Sequence, residues 1–136
     1  MDHALEVLKA ITAVLQSECP LAGGWLAVRV QEPSYPFGTI DITSSEPLRG
    51  QKYYGERHTG VVAIWSKTLE GRRPDPARVF QLCAKAHRAL GAAVYGGDLQ
   101  ITRLAPGIMT PRSDPDGATF GRSFTFTAVT HEVEHG

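Results

Sequence analysis

Apolar residues near the start of the chain recur at three- and four-residue spacing: Ala4, Leu5, Leu8, Ile11 and Leu15, with Val7 and Val14 widening the stripe. Glu6, Lys9 and Gln16 hold the polar side. This period predicts an amphipathic helix that starts near His3 with Asp2 as its cap. Pro20 and the pair Gly23-Gly24 end it. A stripe that broad needs cover from a sheet or from another subunit. A second helix is predicted from Pro76 to about Leu90, with proline in the first turn and Asp75 as cap. Val79, Leu82, Cys83, Ala86 and Leu90 form its stripe, and Phe80, Ala84 and His87 extend it.

Elsewhere the period falls to two. Trp25 to Val30 reads as a short strand, which Pro33, Pro36 and Gly38 break, and Thr39-Ile40-Asp41-Ile42-Thr43 alternates as a second one. His58 to Lys67 is the strongest strand signal. Val62 and Ile64 share one face while Val61, Ala63 and Trp65 share the other, which predicts a central strand covered on both sides. Leu99 to Leu104 reads as a further strand. Gly121 to His131 reads as the last, with Phe124, Phe126 and Ala128 opposite Thr125, Thr127 and Val129.

Between these elements, Ser44 to Arg57 reads as a polar link, longer than the usual connection of about 4–6 residues and so suited to an interface. IWSKTLEGRRPDP, residues 64–76, joins the strong strand to the second helix: Gly71 and Pro74 stop the strand, and Asp75-Pro76 start the helix. Gly91, Gly96 and Gly97 frame a turn region, and Ala105 to Gly117, with three prolines and two glycines, reads as a loop. The order is helix, strands, helix, strands. It predicts one domain over residues 1–136 of the α/β (α+β) class, with a mixed or mainly antiparallel sheet flanked by two main helices.

Composition narrows the function. The 136 residues, 42% of them hydrophobic, are enough for a core without metal or disulfide staples. Fourteen basic residues balance fourteen acidic ones, so no global positive field draws in nucleic acid. Cys19 and Cys83 form no Cys-x-x-Cys pair and read as packing thiols. No run approaches ~20 consecutive apolar residues. The start reads as an amphipathic helix and not as an export signal, which suggests a soluble protein made inside the cell.

One stretch resembles a catalytic motif. His131-Glu132-Val133-Glu134-His135 matches His-Glu-x-x-His, in which a helix sets two zinc ligands one turn apart. Here the preceding segment reads as a strand, in which positions 131 and 135 would stand ~13 Å apart, too far for one zinc. A partner ligand upstream, such as His58 or His87, stays open. Cys83 and His87 are spaced to share a helix face, yet a satisfied, partly buried histidine is the simpler reading. Asp114-Pro115-Asp116-Gly117 lacks the rest of a calcium loop and reads as a turn. No phosphate-binding glycine loop is present, Ser44-Ser45 lacks a nucleophile-elbow frame, and no catalytic, metal or cofactor site is assigned.

Arg49, Lys52, Tyr53, Tyr54 and Arg57 form an aromatic–basic patch. It could stack bases, but tyrosine and arginine are also favoured at protein interfaces, and the long link fits the interface better. Arg72 and Arg73 read as a solvated or interface pair.

The chain resembles the tail-completion, or tail-terminator, family of long-tailed bacteriophages. The resemblance rests on Ala4–Leu15, the strand His58–Lys67 with IWSKT, the helix Pro76–Leu90, and Asp114-Pro115-Asp116-Gly117 followed by Arg122–Val129. It implies a virion structural protein and not an enzyme: a ring, typically of six subunits, on the head-proximal end of the tail tube. Such a ring ends tube polymerisation and offers a surface to the head–tail connector. DNA would pass through its lumen without specific binding, and no cofactor or membrane is involved. Contact loops are expected at Arg49–Arg57 and Ile108–Gly121, the latter with Met109, Arg112, Asp114, Asp116 and Phe120. Competing readings are a head–tail connector component, a nucleic-acid-binding module built on the aromatic–basic patch, and a zinc hydrolase using His131, Glu132 and His135.

Overall fold

The computed structural model describes residues 3–26, 35–49, 54–67, 76–93, 99–113 and 119–132. Helix α1 spans His3–Glu18, and strand β1 is Trp25–Leu26. Strands β2 (Phe37–Arg49) and β3 (Tyr54–Lys67) follow, then helix α2 (Pro76–Ala92) and strands β4 (Leu99–Ser113) and β5 (Thr119–Glu132). The five strands form one sheet in the order β1-β2-β3-β5-β4. β1 pairs in parallel with β2, and every other pair is antiparallel. The sheet is therefore mixed, with β3 at its centre as the doubly apolar pattern of 61–65 predicts.

Both helices place their stripes on one face of the sheet. Val7, Ile11 and Leu15 of α1 and Val79, Leu82, Cys83, Ala86 and Leu90 of α2 meet Ile40, Val62, Ile64, Phe124, Phe126 and Ala128 in one buried cluster. Each large apolar side chain so buried contributes roughly 1.5–3 kcal/mol. Leu5, predicted on the α1 stripe, lies outside it and is half-exposed. The opposite sheet face is covered only in part: Phe37 and Ala63 are buried, while Val61 and Trp65 are partly exposed.

Two segments expected as loops are strand over their described residues. The link Ser44–Arg57 extends β2 to Arg49 and begins β3 at Tyr54, with register from Ser44↔Thr59 to Arg49↔Tyr54 after a bulge between Ile42 and Ser44. Polar side chains do not prevent this, because the backbone ladder closes whatever the side chains are, and β3 is paired on its other side by β5. The stretch from Ala105 through Ser113, expected as a loop, belongs to β4. β4 lies at the edge of the sheet, where Pro106 and Pro111 are tolerated, and its register shifts between Pro106 and Met109. The described residues of the contact segments expected at Arg49–Arg57 and Ile108–Gly121 are thus strand, and residues 50–53 and 114–118 lie outside the described residues. Gly91, expected in a turn, belongs to α2, while Gly96 and Gly97 lie outside the described residues.

Candidate functional site

At the end of the helix-covered face where α1 begins, the core turns polar. His3 sits in the first turn of α1. Glu56 and His58 lie two residues apart on β3, so strand alternation puts both on the same face. Thr130 of β5 is the register partner of Glu56, and Ser45 of β2 is the partner of His58. His3, His58 and Thr130 are fully buried, and the Glu56 side chain is 13% exposed.

The Thr130 hydroxyl is the hub. Its Oγ1 lies 3.1 Å from His3 Nδ1 and 3.2 Å from His58 Nε2. It also reaches the Glu56 carbonyl oxygen at 3.4 Å. A hydroxyl gives one proton, so at least one of the two imidazoles donates an N–H to it. On the other side of the His58 ring, Ser45 Oγ is 2.7 Å from Nδ1. Glu56 Oε1 stands 3.5 Å from His3 Nδ1 and 3.5 Å from His58 Nε2. The result is two imidazoles and one carboxylate whose ligand atoms all lie within 4.8 Å of one another. Among the described residues, no buried side-chain nitrogen or oxygen is without a hydrogen-bond partner.

The sequence signal for this cluster is Glu56-x-His58. It has meaning only on a strand, and assigning Ser44–Arg57 to a link hid it.

The Cys83–His87 spacing leads to a packed arrangement. His87 Nε2 donates to the Gly107 carbonyl at 2.9 Å, and its ring meets Phe124 edge-on at a centroid distance of 5.1 Å. Burial, the largest cause, pushes the Cys83 thiol up to about 11, with Arg122 acting in the opposite direction and Cys19 in the same one. A thiol held so high supplies no thiolate near neutral pH. Cys19 is also buried and raised by desolvation, and its Sγ contacts the Leu82 carbonyl oxygen at 3.6 Å.

The predicted interface residues are spread over the fold. Arg57 is exposed on β3 and pairs with Glu46 of β2 at 3.0 Å. Arg49 and Tyr54 are register partners at the distal end of the β2–β3 pair. Met109 and Arg112 lie on β4, opposite Phe124 and Gly121. Phe120 was expected in a contact loop, but it is on β5, partly buried and packed against the core. Lys52, Tyr53, Arg72, Arg73, Asp114 and Asp116 lie outside the described residues. β5 runs as a strand through His131 to Glu132, so the helical geometry of a zinc-peptidase motif does not form at His131. His135 lies outside the described residues.

No family model and no curated protein matches the chain. Among solved structures, the fold is similar to a chain from the virion of a native gene transfer agent particle, with a TM-score of 0.71 at 13% identity, covering 90% of this chain and 92% of that one. A second solved chain is similar at TM-score 0.51 and 13% identity, covering 100% of this chain and 99% of that one. At this identity the likeness is one of fold. No described helix is long and apolar enough to cross a membrane.

Proposed function

We propose that the chain is a structural component of a phage-like virion: a tail terminator that forms a ring, typically of six subunits, on the head-proximal end of the tail tube. The observation that carries this reading is the fold likeness to a gene transfer agent virion chain over nine-tenths of both molecules. The ring would end tube polymerisation, present a surface to the head–tail connector protein and let DNA pass through its lumen without sequence readout. It has no catalytic step and needs no cofactor for that role. A head-to-tail contact that closes on itself generates such a ring.

The β2–β3 pair supports the reading. Strands of 13 and 14 residues span about 40 Å. Their distal half carries exposed Ser45, Glu46 and Arg57. The exposed, charged surface that Glu46 and Arg57 form on this part of the sheet suits contact with a neighbouring subunit. Phe80, 48% exposed on α2 with Arg122 4.6 Å above its ring, is a second candidate contact.

The test is light scattering and negative-stain electron microscopy of the chain alone and mixed with tail tube protein. Rings with a central hole, alone or on tube ends, are expected. Rings that bind a connector but never a tube would reassign the chain to the head–tail connector. Absence of any oligomer in either sample would overturn the proposal.

A further inference from the structure

We infer that His3, Glu56 and His58 bind one divalent transition-metal ion of the zinc type, which ties the first turn of α1 to the centre of the sheet. This goes beyond the virion reading and stands or falls separately from it.

The donor set is the first argument. Two imidazoles and a carboxylate suit zinc, cobalt or nickel, whereas calcium and magnesium prefer all-oxygen shells. Geometry is the second. Zinc bonds of about 2.0–2.1 Å at tetrahedral angles set neighbouring ligand atoms roughly 3.3–3.5 Å apart. The two imidazole-to-carboxylate edges are both 3.5 Å. The ligand atoms all lie within 4.8 Å of one another, and the imidazole-to-imidazole edge would shorten as the ion binds.

The surroundings are the third argument. A metal-binding histidine usually has its other ring nitrogen held by an outer partner, which fixes both ring orientation and tautomer. Ser45 Oγ does this for His58 Nδ1 at 2.7 Å, leaving Nε2 turned toward Glu56. Thr130 Oγ1 stands beside both ligand nitrogens, where it can complete the coordination shell or hydrogen-bond to it. Glu56 is the one ligand with solvent access, and so gives the ion a way in. On binding, each ligand nitrogen that carries a proton gives it up to solvent, and the bond to the metal forms in its place.

The site does not use His131. Thr130 and His131 are adjacent in β5, so their side chains leave opposite faces of the sheet. The cluster lies on the Thr130 face.

The experiment uses the full-length chain without an affinity tag, stripped with a chelator and titrated calorimetrically with zinc. Cobalt is then added to a second sample and its visible absorption recorded. One equivalent of zinc per chain, a raised Tm and the intense visible bands of four-coordinate cobalt are expected, with no response to calcium. Glu56→Gln and His3→Gln should each weaken zinc binding by about a hundredfold or more, beyond the loss typical of an outer partner, and Ser45→Ala by about tenfold. His131→Gln should leave affinity unchanged. Glu56→Gln keeps shape and sits at the solvent edge, so its metal-free melting curve serves as the folding control. Failure of the folded wild-type chain to bind zinc overturns the inference. So does binding that survives both ligand substitutions, or that is lost in His131→Gln.

Discussion

The indole ring of Trp25 occupies the space where a Cβ on Gly38 would stand. Trp25 and Gly38 are register partners in the parallel pairing of β1 with β2, and Trp25 Nε1 donates to the Cys19 carbonyl at 2.9 Å. The contact locks the end of α1, the short β1 and the start of β2 together.

Gly38→Ala should therefore destabilise the fold by about 1–3 kcal/mol, the usual cost of forcing atoms into a filled core. Equilibrium urea denaturation of the two chains measures it. An unchanged midpoint would mean that the ring moves aside freely.

Thr130→Val keeps the volume and removes the hydroxyl shared by His3 and His58. Buried imidazole nitrogens would lose a partner, at a cost of about 1–3 kcal/mol. Thr130→Ser should recover most of the loss. Both are read from melting in the presence of a chelator, so that metal binding does not contribute.

Cys83 gives a pH signature. Its thiol is raised in the fold from 9.0 to about 11. Between those values the unfolded chain has lost the proton while the folded chain keeps it, so the unfolded state binds fewer protons and stability falls as pH rises. The contribution is complete below pH 9 and is lost progressively toward pH 11. Denaturation midpoints across this window should decline more steeply for the wild-type chain than for Cys83→Ala. At pH 8, a thiol reagent should label neither buried cysteine until urea unfolds the protein.

Arg57 and Glu46 separate folding from assembly. Their ion pair is exposed on both sides, so Arg57→Ala should cost under about 1 kcal/mol of stability. On the proposed function the same change should weaken subunit association, visible as fewer rings at a given concentration. Equal losses of stability and assembly would assign the pair to folding alone.

Local pattern determined the helices and the cores of the strands. Val7, Ile11 and Leu15, and likewise Val79, Leu82, Cys83, Ala86 and Leu90, are buried where a 3.6-residue period puts them. Phe124, Phe126 and Ala128 share the buried face of β5 as strict alternation requires.

Only the tertiary structure decided where the strands end and what the polar positions do. Residues 44–49, 54–57 and 105–113 carry little hydrophobic signal, and they are strands because neighbouring backbones complete their hydrogen bonds. The prolines of β4 are a loop signal in isolation and acceptable on a sheet edge, and sequence alone does not say which strand is the edge. The cluster of His3, Glu56, His58 and Thr130 was illegible for the same reason. Its members are separated by up to 127 positions and meet only because α1 lies across β3 and β5. A period can say which side of an element is apolar. What faces that side, and which polar groups are carried inside with it, depends on pairing register and on helix placement, and these are set by the whole chain at once.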